Sequence, residues 1–246
     1  MLELKDITKH FGAIKAVDGV TFSVNSGECL GLVGDNGAGK STIVKIMSGY
    51  HPQTSGSLLV EGKEVNFSSP TASRNYKIET VYQNLALVEQ LDVTSNFFLG
   101  REIFTRWGKV LRFLDKKIMQ EKAKAELERI GINIPNMKSI VSDLSGGQRQ
   151  SIAIGRSIFW GSKCLVLDEP TAALGVKETG IVADLIARVA NSGVAVVVVA
   201  HDIDLIKKLC NRIVVLRQGK VWSELEAATV SASDIVHHIT GTERNI

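Results

Sequence analysis

Cysteine is scarce in this chain of 246 residues, with only Cys29, Cys164 and Cys210, far apart and without CxxC spacing. Their apolar neighbours predict reduced thiols buried as small hydrophobes, as in a cytosolic protein. Long apolar runs are missing too. The longest, Val194 to Ala200, is seven residues, whereas a bilayer span needs about 20. The amino terminus, MLELKDITKHF, carries charges where a secretory signal needs an apolar core. The reading is a chain that neither spans nor crosses a membrane, so any membrane role runs through a partner. Charge of one sign is also lacking. A net charge of +3 and no long Lys/Arg run argue against a nucleic-acid partner. What is present is ordinary for a globular protein, 44% apolar and 22% charged residues, at a length that buries a full core.

Residues 1–33 alternate apolar and polar over short stretches, which predicts antiparallel strands feeding a buried strand, Cys29 to Val33. Ser41 to Gly49 has helical periodicity and a glycine stop. Residues 57–67 form a hairpin pattern turning at Glu61-Gly62-Lys63, and Ile78 to Tyr82 is a short strand ending before Gln83. The middle changes character: Lys116 to Ile130 and Ser145 to Ile158 are amphipathic helices. Thereafter strand and helix alternate, Cys164–Leu167, Lys177–Ala190, Val194–Ala200, Asp204–Cys210 and Arg212–Arg217. The later strands are continuously apolar, as parallel strands covered on both faces are. With no repeat or low-complexity linker, one α/β core with a mostly helical insert is expected.

Gly34-Asp35-Asn36-Gly37-Ala38-Gly39-Lys40-Ser41 fits GxxxxGK[ST], between a buried strand and a helix. Its glycines let successive backbone N–H groups converge on phosphate oxygens, and the helix start adds partial positive charge. Lys40 is expected to bridge β- and γ-phosphates, and Ser41 to give a hydroxyl to Mg2+. A plain glycine turn leaves Lys40 without a reason. Asp168 ends an apolar strand, where parallel sheets carry ligand groups, and is expected to hold Mg2+ through water. Glu169 points elsewhere and can address an attacking water. Adjacent carboxylates can also be a helix-start charge, which is the competing reading. Ser145-Gly146-Gly147-Gln148 opens a helix, the serine capping it and the free N–H groups making an anion site. An ordinary N-cap accounts for Ser145 but not for Gly-Gly-Gln.

By chance, GxxxxGK[ST] arises in about one such chain in fifty and Leu144-Ser145-Gly146-Gly147-Gln148 in roughly one in a few thousand. Their order and spacing decide the matter. The chain resembles the ATP-binding subunit of an ABC transporter over essentially all its length. The resemblance implies a P-loop NTPase (RecA-like) α/β core, with an N-terminal antiparallel β subdomain and an ABC-specific helical subdomain at about 87–160. All of it belongs to one domain, 1–246. It implies ATP and Mg2+ as cofactors, with Gly34 to Ser41 and Thr42 cradling the nucleotide and Ser41, Gln83 and Asp168 at the metal. Glu169, Gln83 and His201 are the expected catalytic residues. His201 is the switch that contacts the γ-phosphate and positions water, and Gln83 links the metal site to the helical insert. Phe11 matches the aromatic that stacks on adenine, where a core phenylalanine is the alternative. Ser145, Gly146, Gly147 and Gln148 are implied to close on the γ-phosphate held by a partner subunit.

Two departures stand out. Ala172-Ala173-Leu174-Gly175 places glycine where the family's D-loop has aspartate, so an interfacial carboxylate contact is lacking. Tyr76-Lys77-Ile78 stands where relatives more often show glycine before isoleucine, and nothing follows from it. The Gly175 segment, Thr80 to Val88 and Asn96 to Glu102 are similar to ATPases of monosaccharide importers. Many of those are two fused cassettes. One Walker A loop and one signature here imply pairing with a second copy or a close paralogue, and no regulatory domain is expected after residue 246. The expected partners are that second ATPase subunit, transmembrane permease subunits and, indirectly, a solute-binding protein, at the cytoplasmic face of the membrane. A soluble ABC-type ATPase without transport is the second reading, and a non-hydrolysing scaffold the third. Some of Leu85, Leu87 and Val88 are expected to stay partly exposed beside a cleft that receives a permease helix.

Overall fold

The computed structural model describes residues 1–105 and 113–241. Residues 106–112, inside the expected 87–160 insert, and residues 242–246 lie outside the described residues. Strands β1 (Leu2–Phe11) and β2 (Ile14–Val24) form an antiparallel hairpin. Leu2 and Leu4 are buried with Val20, Phe22 and Val24 at the period of two that the pattern predicts, and register shifts on either side of Ile7 bring Ile7 and Val17 into the same core. Strand β3 (Cys29–Gly34) is buried at every position and runs into helix α1 (Lys40–Met47), which stops before Gly49. The hairpin β4 (Ser55–Val60) and β5 (Lys63–Val65) turns where expected.

Helix α2 (Pro70–Asn75) leads to β6 (Ile78–Val81), and α3 (Val93–Phe98) follows. Neither short helix was expected, because six residues are too few for a periodic signal. Side-chain caps start them: Ser69 accepts from the Ala72 N–H and Asp92 from the Ser95 N–H. Helices α4 (Lys116–Arg129) and α5 (Gly146–Phe159) then appear as predicted. Next come β7 (Cys164–Asp168), α6 (Val176–Asn191), β8 (Ala195–Val199), α7 (Ile203–Leu209) and β9 (Arg212–Arg217). Two further elements, β10 (Lys220–Glu226) and α8 (Ala232–Thr240), extend the chain beyond the expected last strand.

Strands β1, β2, β4 and β5 make one sheet, in order β2-β1-β4-β5. The second sheet runs β10-β9-β3-β8-β7-β6, parallel except for β10 at its edge. Alternate residues of β7 and β8 feed two cores. Leu165, Leu167, Val196 and Val198 pack toward α6 and the helical region, including Phe97, Leu127 and Ile154. Cys164, Val166, Val197 and Val199 pack toward α1 and the antiparallel sheet. Each fully buried aliphatic side chain is worth about 1.5–3 kcal/mol, so this central sheet fixes where its strand ends lie. All three cysteines are free and buried. Cys29 Sγ lies 3.6 Å from Cys210 Sγ, and burial pushes the Cys164 thiol up to about 12.

Candidate active site

The loop between β3 and α1 can only be built with glycine at its critical points. A methyl group on Gly34 (φ +150°) would run into the Leu216 carbonyl, and one on Gly39 (φ +107°) would meet the Ala16 carbonyl oxygen at 2.8 Å. Gly39 caps α1 without a side chain, so the first N–H groups of that helix have no side-chain acceptor at the cap. Lys40 is buried beneath the loop and donates to the Gly34 carbonyl at 2.6 Å and the Asp35 carbonyl at 3.0 Å. Burial lowers its pKa, opposed by the nearby carboxylates of Glu169, Asp35 and Asp168.

Lys40, Asp168 and Glu169 border one groove of 530 Å³, beside a neighbouring cleft of 640 Å³. Its walls carry Phe11, Asn36 to Thr42, Gln83, Asp168, Glu169 and His201. Phe11 is 43% exposed at the rim, so the core reading of this ring is overturned. The Phe11 and His51 ring centroids lie 5.3 Å apart in an edge-to-face arrangement. Asp168 and Glu169 stand at the carboxyl end of β7, as parallel sheets dictate. Glu169 has left-handed backbone (φ +54°) and its N–H donates to Val199. The next helix, α6, starts only at Val176, so the two carboxylates are not a helix-start charge. His201 Nε2 lies 3.2 Å from Glu169 Oε1. Burial raises the pKa of both carboxyls; His201 opposes this at Glu169, and Lys45 and then Lys40 oppose it at Asp168.

Ser145, Gly146, Gly147 and Gln148 do not line this groove. Ser145 caps α5 through a reciprocal box with Gln148: Gln148 N–H to Ser145 Oγ at 3.3 Å, Ser145 N–H to Gln148 Oε1 at 3.0 Å. A Cβ on Gly146 would meet Leu174 Cδ2 at 2.8 Å, and one on Gly147 would meet Glu178 Cβ at 3.0 Å. The signature start therefore packs against the D-loop of its own chain. Hydrogen bonds from the Ser145 hydroxyl and the Gly175 N–H hold the Glu178 carboxyl below its usual range.

The family model for the ABC transporter matches residues 17–172. The chain belongs to the ABC transporter family. It is 42% identical to the xylose/arabinose import ATP-binding protein XylG of Sulfolobus acidocaldarius, covering 98% of this chain and 94% of the relative. To the fructose import ATP-binding protein FrcA of Rhizobium meliloti it is 40% identical, over 99% and 95%. A ribose import ATP-binding protein, RbsA of Caldanaerobacter subterraneus, is 37% identical, but this chain spans only 48% of its length. Among solved structures, a nucleotide-free ATP-binding cassette from an ABC transporter superposes with TM-score 0.79 over 99% of this chain and 96% of its own, at 23% identity. The dimeric cassette MJ0796 bound to ADP and Pi gives 0.76 over 92% and 99%, at 26% identity. The P-loop fold with its antiparallel β subdomain is thus that of ABC ATPases.

This ABC cassette also carries site residues that sequence reasoning missed. The second cleft is lined by Lys45, Tyr50, Tyr82, Gln83, Asn84 and Asp168, so Gln83 and Asp168 belong to both cavities. The Tyr82 hydroxyl donates to Ser48 Oγ at 2.8 Å, which fixes the strand end before Gln83. Lys45 lies one helical turn beyond Ser41, and that spacing is the signal that places both on one face of α1. Leu85, Leu87 and Val88 are all half-buried, as expected, but none of them lines either cavity.

Proposed function

We propose that this chain hydrolyses ATP as the energising subunit of an ABC importer for a monosaccharide. The observation that carries the reading is the Glu169–His201 pair, 3.2 Å apart, in the groove of the phosphate loop and Lys40. Relatives named for import of xylose/arabinose and fructose, matched end to end, support the solute class. In this reading the loop from Gly34 to Thr42 and the bare start of α1 bind the phosphates, and Phe11 receives the adenine ring. Glu169 accepts a proton from the attacking water, and His201 holds that water and the γ-phosphate in place.

The donor set fits Mg2+: one carboxylate (Asp168), one hydroxyl (Ser41) and one amide (Gln83), the rest coming from phosphates and water. When bound, Mg2+ neutralises charge on the β- and γ-phosphates. Ser145, Gly146, Gly147 and Gln148 face a partner's nucleotide, so two subunits close around two ATP. The whole chain is one cassette, with 87–160 as its helical subdomain. Permease subunits and a solute-binding protein complete the importer, with this chain peripheral at the cytoplasmic face.

The test is reconstitution of the chain with its permease in lipid vesicles. Hydrolysis of ATP that rises with a monosaccharide-loaded binding protein is expected, and is abolished in Glu169→Gln. Turnover indifferent to every monosaccharide would remove the solute assignment, and no turnover in any assembly would remove the enzyme.

A further inference from the structure

Near the carboxyl end of α5 stands an arginine that the nucleotide groove does not use. Arg156 Nη1 donates to the Ala86 carbonyl at 3.1 Å, and Nη2 reaches the Leu85 carbonyl at 3.4 Å. Both acceptors have left-handed backbone, φ +56° at Leu85 and +48° at Ala86. Two successive non-glycine residues in that region are strained and persist only where their surroundings hold them. Locally the turn is closed by Leu85 N–H to Tyr82 O at 2.8 Å and Ala86 N–H to Asn84 O at 2.6 Å. Gln83 lies inside this turn.

The guanidinium suits the task. Its fork offers parallel donors to two neighbouring carbonyls, which an ammonium cannot. Its charge is largely desolvated and faces Glu79 on β6, the strand that leads into Gln83. Glu79 already pairs with Arg74 at 3.4 Å and Arg101 at 3.6 Å, so Arg156 keeps its direct hydrogen bonds for the turn.

We propose that Arg156 is a positioning residue for Gln83, holding the strained Leu85–Ala86 turn from the far end of the signature helix. The inference rests on the roles proposed for Gln83 and Ser145. Helix α5 has 14 residues, with Ser145 capping one end and Arg156 gripping the other chain segment near its end. One helix thus carries Ser145 at its start and, near its other end, the arginine that grips the turn holding Gln83.

The test compares Arg156→Ala, Arg156→Lys and the double variant Arg156→Ala/Ala86→Gly in the full chain. Expected is an unchanged KM for ATP with kcat lowered about 10- to 100-fold in Arg156→Ala, the scale of a misplaced active-site group. Hydrogen exchange at the Leu85 and Ala86 amides should quicken. Glycine at 86 accepts positive φ without strain, so the double variant should regain much of the lost kcat, which a mere packing role for Arg156 would not produce. Arg156→Lys keeps the charge facing Glu79, so it carries the test should Arg156→Ala fail to fold, and should show intermediate exchange and kcat. Unchanged exchange at 85 and 86 in both single variants, or no recovery with glycine, overturns the clamp. Absence of ATP hydrolysis by the unsubstituted protein would overturn the functional reading instead, and the exchange measurement needs no turnover.

Discussion

Glu169 sits at φ +54°, a conformation that costs an L-residue about 1–2 kcal/mol, and the turn sets its carboxyl beside His201 while Asp168 ends the strand. Glu169→Gln keeps this shape and the ATP contacts but loses the basic oxygen. Hydrolysis is expected to fall by roughly two to four orders of magnitude, with ATP binding intact, measured by phosphate release and nucleotide titration. The same residue sets a pH dependence. Burial raises its pKa above the ordinary 4.5, so it takes up a proton at a higher pH than a free glutamate. Activity should therefore be full above the raised value and fall as pH drops through it. The kcat–pH profile checks this, and an acid limb at or below 4.5 would contradict the burial argument. Lys40→Ala has a different signature. It removes a buried cation already aimed at the loop carbonyls, so nucleotide affinity itself should drop.

The signature helix shows what an element adds to its residues. Ser145 is fixed by its box with Gln148 and does not line the groove around Lys40. Ser145→Arg should leave ATP binding to the isolated subunit nearly unchanged yet abolish turnover, by putting bulk and charge into the partner's phosphate site. Loss of binding in the isolated subunit would sink the two-subunit sandwich. This helix was legible beforehand because 14 residues give a clear period and Ser145 and Gln148 spell a capping box. The strands β7 and β8 were legible from their apolar runs. Helices α2 and α3 were not, since caps rather than periodicity define them. Nor was the intrachain contact of the D-loop segment: Gly175 starts α6 with Glu178 reaching back to its N–H at 3.3 Å and to Ser145. The Arg156 contact was illegible for another reason. Leucine and alanine carry no sequence signal for left-handed backbone, and the Arg156 contact that supports their turn comes from a segment 70 residues away.

At the scale of the whole molecule, the described residues contain no helix long and apolar enough to cross a membrane, so work on a membrane partner has to pass through a surface. The 640 Å³ cleft is the surface we propose for that contact, because Tyr50, Tyr82 and Asn84 share it with Gln83 and Asp168. Tyr50 is 61% exposed there. Leu85 and Leu87 pack partly on the helical core, and with Val88 they stay half-buried on the segment that continues from Gln83. A helix laid into a groove takes its affinity from a few such apolar anchors. Leu87→Glu should therefore leave basal ATP hydrolysis intact, because Leu87 lines neither cavity. Losing an anchor of about 2 kcal/mol weakens association roughly 30-fold, so capture of the permease and transport should fail together. The measurement is co-purification with tagged permease, then solute uptake into vesicles. If Leu87→Glu assembles and transports as the unsubstituted protein does, the permease docks elsewhere on this cassette.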